Sequence, residues 1–185
     1  MTDVPELRSL REQPFELLRE LERRSQRAEA GQALASGAGD WVGVAVRVGE
    51  HLMLIAREEV REVLDFPPVT RVPGARSWIR GVSNVRGQLV PVVDIGGFAL
   101  GKEASPGRST RLIVVNHPSI PAGLMVDEVM GFRRFSADEF DPRTAGLADG
   151  IEEYLIGCYK RGRETWPVIS CIRLIESSRF ADVAA

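Results

Sequence analysis

The sequence predicts an all-β domain with short helices, and three observations predict it. Apolar residues recur with period two in short runs, as Val42, Val44, Val46 and Val48 do against Gly43, Ala45 and Arg47. Tight-turn pairs separate neighbouring runs at Gly49-Glu50 and at Arg86-Gly87, the spacing of β-hairpins. Helical spacing within the body is confined to brief stretches. About nine or ten short strands result, and periodicity alone leaves a barrel and a sandwich equally open.

With 185 residues the chain suits one domain or two small fused lobes. Residues 1–40 read as a separate region. Pro14 fits a first helical turn, and Phe15, Leu17, Leu18 and Leu21 follow at helical spacing. Glu20 and Arg24 stand four apart in the favourable order. An amphipathic helix is expected over Pro14–Ala35, with Ser36-Gly37-Ala38-Gly39 as linker. The body is expected over 41–180, with 181–185 as a tail.

Within the body, Trp41–Val48 and His51–Ala56 should pair. Helical spacing of Glu59, Val60, Val63 and Leu64 predicts a short helix over Arg57–Asp65, stopped by Phe66-Pro67-Pro68. Val69–Gly74 is a short extended piece. Ile79–Val85 and Gln88–Ile95 form the central hairpin. In its second run Leu89, Pro91 and Val93 share one face and Val90, Val92 and Asp94 the other, so burial on both sides is expected, as in a barrel wall. Pro91 donates no ladder bond and should sit at a bulge or an edge.

After Gly96-Gly97, Phe98–Gly101 reads as one helical turn and Lys102–Ser109 as a polar connection. Strands follow over Arg111–Val115, around Leu124 and Val126, and over Gly131–Phe135. Glu139 stands three residues after Ser136, the spacing of a capping box. Asp141–Gly150 reads as a loop. Tyr154–Lys160 and Thr165–Ser170 form a last hairpin, and Cys171–Phe180 a C-terminal helix with Leu174 and Ile175 inward.

Composition excludes several function classes. A formal net charge of −2 argues against a nucleic-acid footprint, and 6% aromatic residues supply no base-stacking platform. No apolar run reaches the ~18 residues of a membrane helix, and the N-terminus lacks a signal-peptide core. Cys158 and Cys171 lack zinc spacing and read as buried, reduced core residues. His51 and His117 have no neighbouring ligand at metal spacing. There is no G-x-S-x-G elbow and no phosphate-cradling lysine motif. Asp94, Asp127 and Glu128 form no recognisable acid–base pair. No catalytic residue, metal or cofactor is expected.

The stretch Gly81-Val82-Ser83-Asn84-Val85-Arg86-Gly87 through Pro91 and Asp94 to Ile95 resembles the core motif of CheW-like domains, the scaffold adaptors of bacterial chemosensory arrays. The family pattern is close to G-x-x-N-L-R-G-x-x-x-P-x-x-D-L, from which Val85 and Ile95 depart. Similarity returns in Glu59–Leu64, Val69–Pro73, Ala122–Val129 and Tyr154–Gly157, covering roughly Trp41 to Ile175. The resemblance implies two SH3-like five-stranded β-barrels packed around a shared core. It also implies a non-catalytic adaptor that couples methyl-accepting chemoreceptor tips to the regulatory domain of a CheA-type histidine kinase. Its place would be the cytoplasm, at membrane-associated receptor arrays, without insertion into the membrane. The N-terminal helix and the Arg80–Asn84 wording are most similar to the adaptors of type IV pilus twitching motility. A flagellar adaptor is the alternative. From another class, a small-ligand-binding barrel or a small hydrolase also stands.

Candidate contacts follow from residue chemistry and the resemblance together. Arg86, at a rigid hairpin tip, offers a planar five-donor fork suited to a carboxylate or to carbonyls on a partner. Asn84 should hold the hairpin through side-chain to backbone bonds, and Gly81 and Gly87 should act as backbone devices. The resemblance adds Glu62 as a signalling contact and Gly157 as a point of close approach by a partner helix. Val63 and Val85 read as core or groove.

Overall fold

A computed structural model describes residues 40–143 and 151–183; the helix expected over 14–35 and most of the 141–150 loop lie outside them. Eleven strands run in chain order: β1 (Trp41–Val48), β2 (His51–Ala56), β3 (Val60–Asp65), β4 (Ile79–Val85), β5 (Gln88–Asp94), β6 (Arg111–Val115), β7 (Gly123–Val126), β8 (Glu128–Phe135), β9 (Phe140–Asp141), β10 (Leu155–Arg161) and β11 (Glu164–Ile169). Helices are short: α1 (Ile95–Leu100) after β5, then α2 (Cys171–Glu176) and α3 (Ser178–Ala181) at the end.

The strands form two curled sheets. One has six strands in the order β8-β1-β2-β11-β10-β9, and the other has five, β3-β6-β7-β5-β4. The two-residue β9, paired to β10 through Asp141 and Phe140, adds a strand to the expected five. The chain passes between the sheets at two places, the 3-10 turn Arg57–Glu59 and Asp127.

Alternation explains why so many strands are buried on both faces. Along β1, Val44, Val46 and Val48 enter a core shared by both sheets, while Trp41 and Ala45 enter a core private to the six-stranded lobe. In β2, Met53 and Ile55 face the shared core and Leu54 and Ala56 the private one. Likewise Ile113 and Val115 of β6 serve the shared core, whereas Leu112 and Val114 join Val85, Val90 and Val92 inside the five-stranded lobe. Phe98 of α1 and Phe180 of α3 close the shared core against Trp78. Two barrel-like lobes around a third, common core are thus the physical content of the predicted all-β fold.

Several local expectations are corrected. Arg57–Asp65 is a 3-10 turn followed by strand β3. A bulge between Val60 and Glu62 breaks the period-two pattern, so Val60 faces the shared core while Leu64 packs against the five-stranded lobe's own core. Pairing with β6 along the whole strand overrides the accidental helical spacing. Leu89 is 69% exposed, so the outer end of β5 is wet on one side. Pro91 lies opposite Val82, one residue before β7 begins to pair with β5 at Val92. Gly96 and Gly97 belong to α1, because Asp94 caps it by accepting from the Gly97 amide at 3.1 Å. The C-terminal helix is interrupted at Ser177, whose hydroxyl caps α3. The capping box at Ser136 and Glu139 is present as read.

Candidate functional site

The β4–β5 turn is built from Arg86 at φ 51° and Gly87 at φ 86°. Positive φ at both positions matches the right-handed twist of the flanking strands. Glycine adopts this freely; Arg86 is the one non-glycine residue with positive φ among those described. Asn84 supplies the compensation, its Oδ1 accepting the Gly87 amide at 2.7 Å. Behind the turn, a Cβ on Gly81 would sit 2.0 Å from the Thr70 carbonyl. Thr70 there exchanges two main-chain bonds with Val82, both at 2.8 Å, and covers the outer edge of β4.

The guanidinium of Arg86 reaches across to β3 and donates to Glu62 Oε2 from Nε at 2.9 Å. Beside it, Arg61 Nη2 donates to Gln88 Oε1 at 3.3 Å. In the sheet order β3 and β4 are opposite edges, so these two side-chain bridges close the seam that backbone pairing leaves open. Arg86 is 78% exposed and Glu62 19%, which leaves the arginine presented outward from an anchored carboxylate.

Glu62 also borders a groove of about 280 Å³ between the lobes. Its walls are Val60 and Val63 from β3, Val44 from β1, and Val129 and Phe132 from β8, with Arg57 and Arg61 on the rim. Phe132 is 61% exposed and Val63 38% exposed, an apolar pair left open to solvent. The sequence-derived residues therefore separate. Arg86, Glu62, Asn84 and Gly87 meet at the seam, Val63 lies in the adjoining groove, and Val85 is buried in the core beneath them. Gly157 stands apart in β10 of the other lobe. A Cβ there would fall 2.5 Å from the Phe140 ring and 2.7 Å from the Asp141 carbonyl, so its close neighbour is β9 of the same chain.

Sequence reasoning missed Arg61, Gln88, Arg57 and Phe132. Arg61 and Gln88 flank residues already singled out, but their meeting depends on how the sheet curls. Phe132 did carry a signal: a bulky apolar residue between Gly131 and Arg133-Arg134, outside the alternation of its strand.

The groove wall carrying Val60 and Arg57 is tied to the other lobe by Glu59. Its carboxylate accepts the Ser170 hydroxyl at 2.8 Å and the Cys171 amide at 2.6 Å. Burial pushes the Glu59 carboxyl above its ordinary range, against those hydrogen bonds. Asp94 is raised likewise by burial, opposed by bonds from Ala104 and Gly97. At the second crossing Asp127 Oδ2 accepts the Gly49 amide at 2.6 Å. His117 shapes a turn, Nδ1 accepting from Ser119 and Ile120 at 3.1 and 2.9 Å. These polar groups are held by structural bonds, and no cluster of three or more metal-ligating side chains occurs among the described residues.

Comparison with known proteins bears on this geometry directly. The family model described as CheW-like domain matches residues 42–179, which span both lobes, both crossings, the seam and the groove. The chain belongs to the CheW-like family. The domain is 38% identical to protein PilI of Pseudomonas aeruginosa over 173 residues, 92% of this chain and 96% of PilI. It is 33% identical to protein FrzA of Myxococcus xanthus over 140 residues, 75% of this chain and 87% of FrzA. Among solved structures, the scaffolding protein TtCheW of Thermoanaerobacter tengcongensis superposes with a TM-score of 0.67 at 22% identity, covering 76% of this chain and 96% of that one. That likeness confirms the CheW-like fold of paired lobes. In this CheW-like domain the core motif is the β4–β5 hairpin itself, with its arginine at the turn and its proline and aspartate in β5.

Proposed function

We propose that the chain is a non-catalytic scaffold adaptor of a bacterial chemosensory array. It couples methyl-accepting chemoreceptors to a CheA-type histidine kinase in the branch that serves type IV pilus twitching motility. The arrangement of Arg86, Glu62 and the inter-lobe groove carries this reading. An exposed ion pair such as Arg86–Glu62 contributes about 0–1 kcal/mol to folding, whereas an arginine fully engaged at an interface contributes about 2 kcal/mol or more. A partner carboxylate or carbonyl that meets Arg86 therefore wins it from Glu62 at small cost. The groove offers apolar walls and a charged rim to an amphipathic receptor helix, the helix-in-groove mode of recognition. The similarity to PilI along nearly the whole chain supports the pilus branch. The adaptor reading places the chain in the cytoplasm at the array. No helix among the described residues is long and apolar enough to cross a membrane.

The test is titration calorimetry of the chain against the kinase regulatory domain and, separately, a receptor cytoplasmic hairpin. Micromolar binding to the kinase domain and weaker binding to the receptor are expected. Arg86→Ala should weaken at least one of them by about 1–2 kcal/mol, roughly 5- to 30-fold. Two flat titrations with folded proteins would refute the adaptor reading. Unchanged binding by Arg86→Ala would leave the function and remove the site.

A further inference from the structure

The groove presents Phe132 and Val63 to solvent beneath a rim bearing Arg57 and Arg61. The chain itself contains a segment of matching chemistry. Placed on a helix, residues 14–35 bring Leu17, Leu18, Leu21 and Ala28 to one face, spaced by one, three and seven residues. Glu22 and Glu29, seven apart, run along one border of that face, and Arg24, seven after Leu17, stands on the other. An apolar stripe flanked by charge of both signs suits an apolar groove bordered by Arg57, Arg61 and Glu62.

Chain length permits the match. Five residues, Ser36 to Asp40, separate that segment from β1, and extended they reach up to about 17 Å. Trp41 at the start of β1 is paired with Phe135 of β8, and Val44 and Phe132, which line the groove, form the register pair three residues further along. That displacement is about 10 Å. The linker is thus long enough to turn back, and its two glycines allow the reversal.

The comparisons add an independent observation. Residues 42 to 185 number 144, fewer than the 173 that align with PilI, so the similarity to PilI enters the segment ahead of β1. The overlap with TtCheW, 76% of the chain, is an extent the domain alone supplies. Sequence ahead of the domain is therefore shared with the relative that matches along nearly its whole length.

We propose that residues 14–35 dock as an amphipathic helix in the inter-lobe groove of their own chain, and that a partner helix must displace them. The displacement rests on the groove reading given under Proposed function; the docking does not.

The test uses the full chain with paired cysteines. Leu21→Cys is combined with Phe132→Cys in one variant and with Lys102→Cys, on the loop after α1, in another; native Cys158 and Cys171 are buried. Under dilute oxidation the Phe132 pair should form an intramolecular disulfide at least 10-fold faster than the Lys102 pair. Separately, Leu17→Asp/Leu21→Asp should bind a receptor hairpin 3- to 10-fold more tightly than the unmodified chain. Equal rates, or disulfides only between copies, would overturn docking within the chain. Unaltered hairpin affinity in the aspartate variant would overturn the displacement. A selective disulfide with no hairpin binding by any variant would uphold docking and refute the adaptor reading instead.

Discussion

Glu59 and Ser170, 111 residues apart in the chain, meet at 2.8 Å where the first passage between the lobes touches the start of α2. The Glu59 main chain faces the opposite way, its carbonyl accepting the Asn116 amide at 2.8 Å beyond the end of β6. One residue thus fastens both sheets. Glu59→Ala should destabilise by about 1–3 kcal/mol, since it leaves buried donors without their acceptor. The midpoint of urea unfolding measures this.

The same carboxyl makes a signed prediction in pH. Its folded value is raised by burial, so between the unfolded carboxylate range and that raised value the folded state holds the extra proton. Stability contributed by this group is then complete below the unfolded value and is lost as pH rises through the folded one. Compared with Glu59→Gln, the wild-type chain should gain stability as pH is lowered from neutrality toward the ordinary carboxyl value of 4.5. Parallel urea titrations across that range would show the reverse if the hydrogen bonds outweighed burial.

Glu139 behaves oppositely. Hydrogen bonds from Arg161, with the Ser136 amide, lower its carboxyl to about 2. Its contribution is present above the ordinary value of 4.5 and is lost as pH falls toward about 2. Glu139→Gln should therefore flatten the acid limb of thermal stability between those values, as read by circular dichroism melts. Arg161 also donates to the Arg134 carbonyl at 2.7 Å and lies over the Phe135 ring, so Arg161→Ala should cost more than Glu139→Gln.

Arg86→Gly separates folding from contact. The substitution relieves a left-handed non-glycine residue, worth about 1–2 kcal/mol, and removes only an exposed ion pair. Stability should be unchanged or slightly higher while affinity for the kinase domain or the receptor hairpin falls about as far as in Arg86→Ala. A melt and a titration on one preparation decide it.

Phe180→Ala should be among the costliest single changes, at about 3–5 kcal/mol. Its ring packs in the shared core against Trp78 and Phe98, with centroids 6.0 and 5.9 Å away. The segment around it is held by Arg179 donating to the Phe98 carbonyl and by Arg76 paired with Asp182. Chemical denaturation measures the loss.

Much of this was legible in the chain. A period-two run located β1, short apolar runs bounded by turns located β2, β5 and β6, and Arg86-Gly87 located the hairpin that carries the arginine. Where local spacing misled, at Arg57–Asp65, a bulge between Val60 and Glu62 had shifted the phase of β3, and it shows only in the pairing with β6. The pairing of Arg86 with Glu62 was hidden for a related reason. Both residues were singled out separately, but their meeting across 24 positions requires the curl of a five-stranded sheet. Phe132 had a local mark, its bulk between Gly131 and Arg133, but that mark does not say that its side of β8 borders the groove between the lobes.

The order of strands in the six-stranded lobe has a consequence during synthesis. β3 to β7 are contiguous in sequence and make up one whole lobe, whereas the other is assembled from β1 and β2 at one end and β8 to β11 at the other. The β1–β2 hairpin therefore leaves the ribosome roughly a hundred residues ahead of β11, its parallel neighbour, a wait of about 5–20 s at ordinary elongation rates. Throughout that interval the free edge of β2, with Met53 and Ile55 beside it, has no strand to close it. The inserted lobe is synthesised whole before β11, and it carries Ile113, Val115 and Leu124 of the shared core, the apolar surface against which Met53 and Ile55 pack in the finished domain.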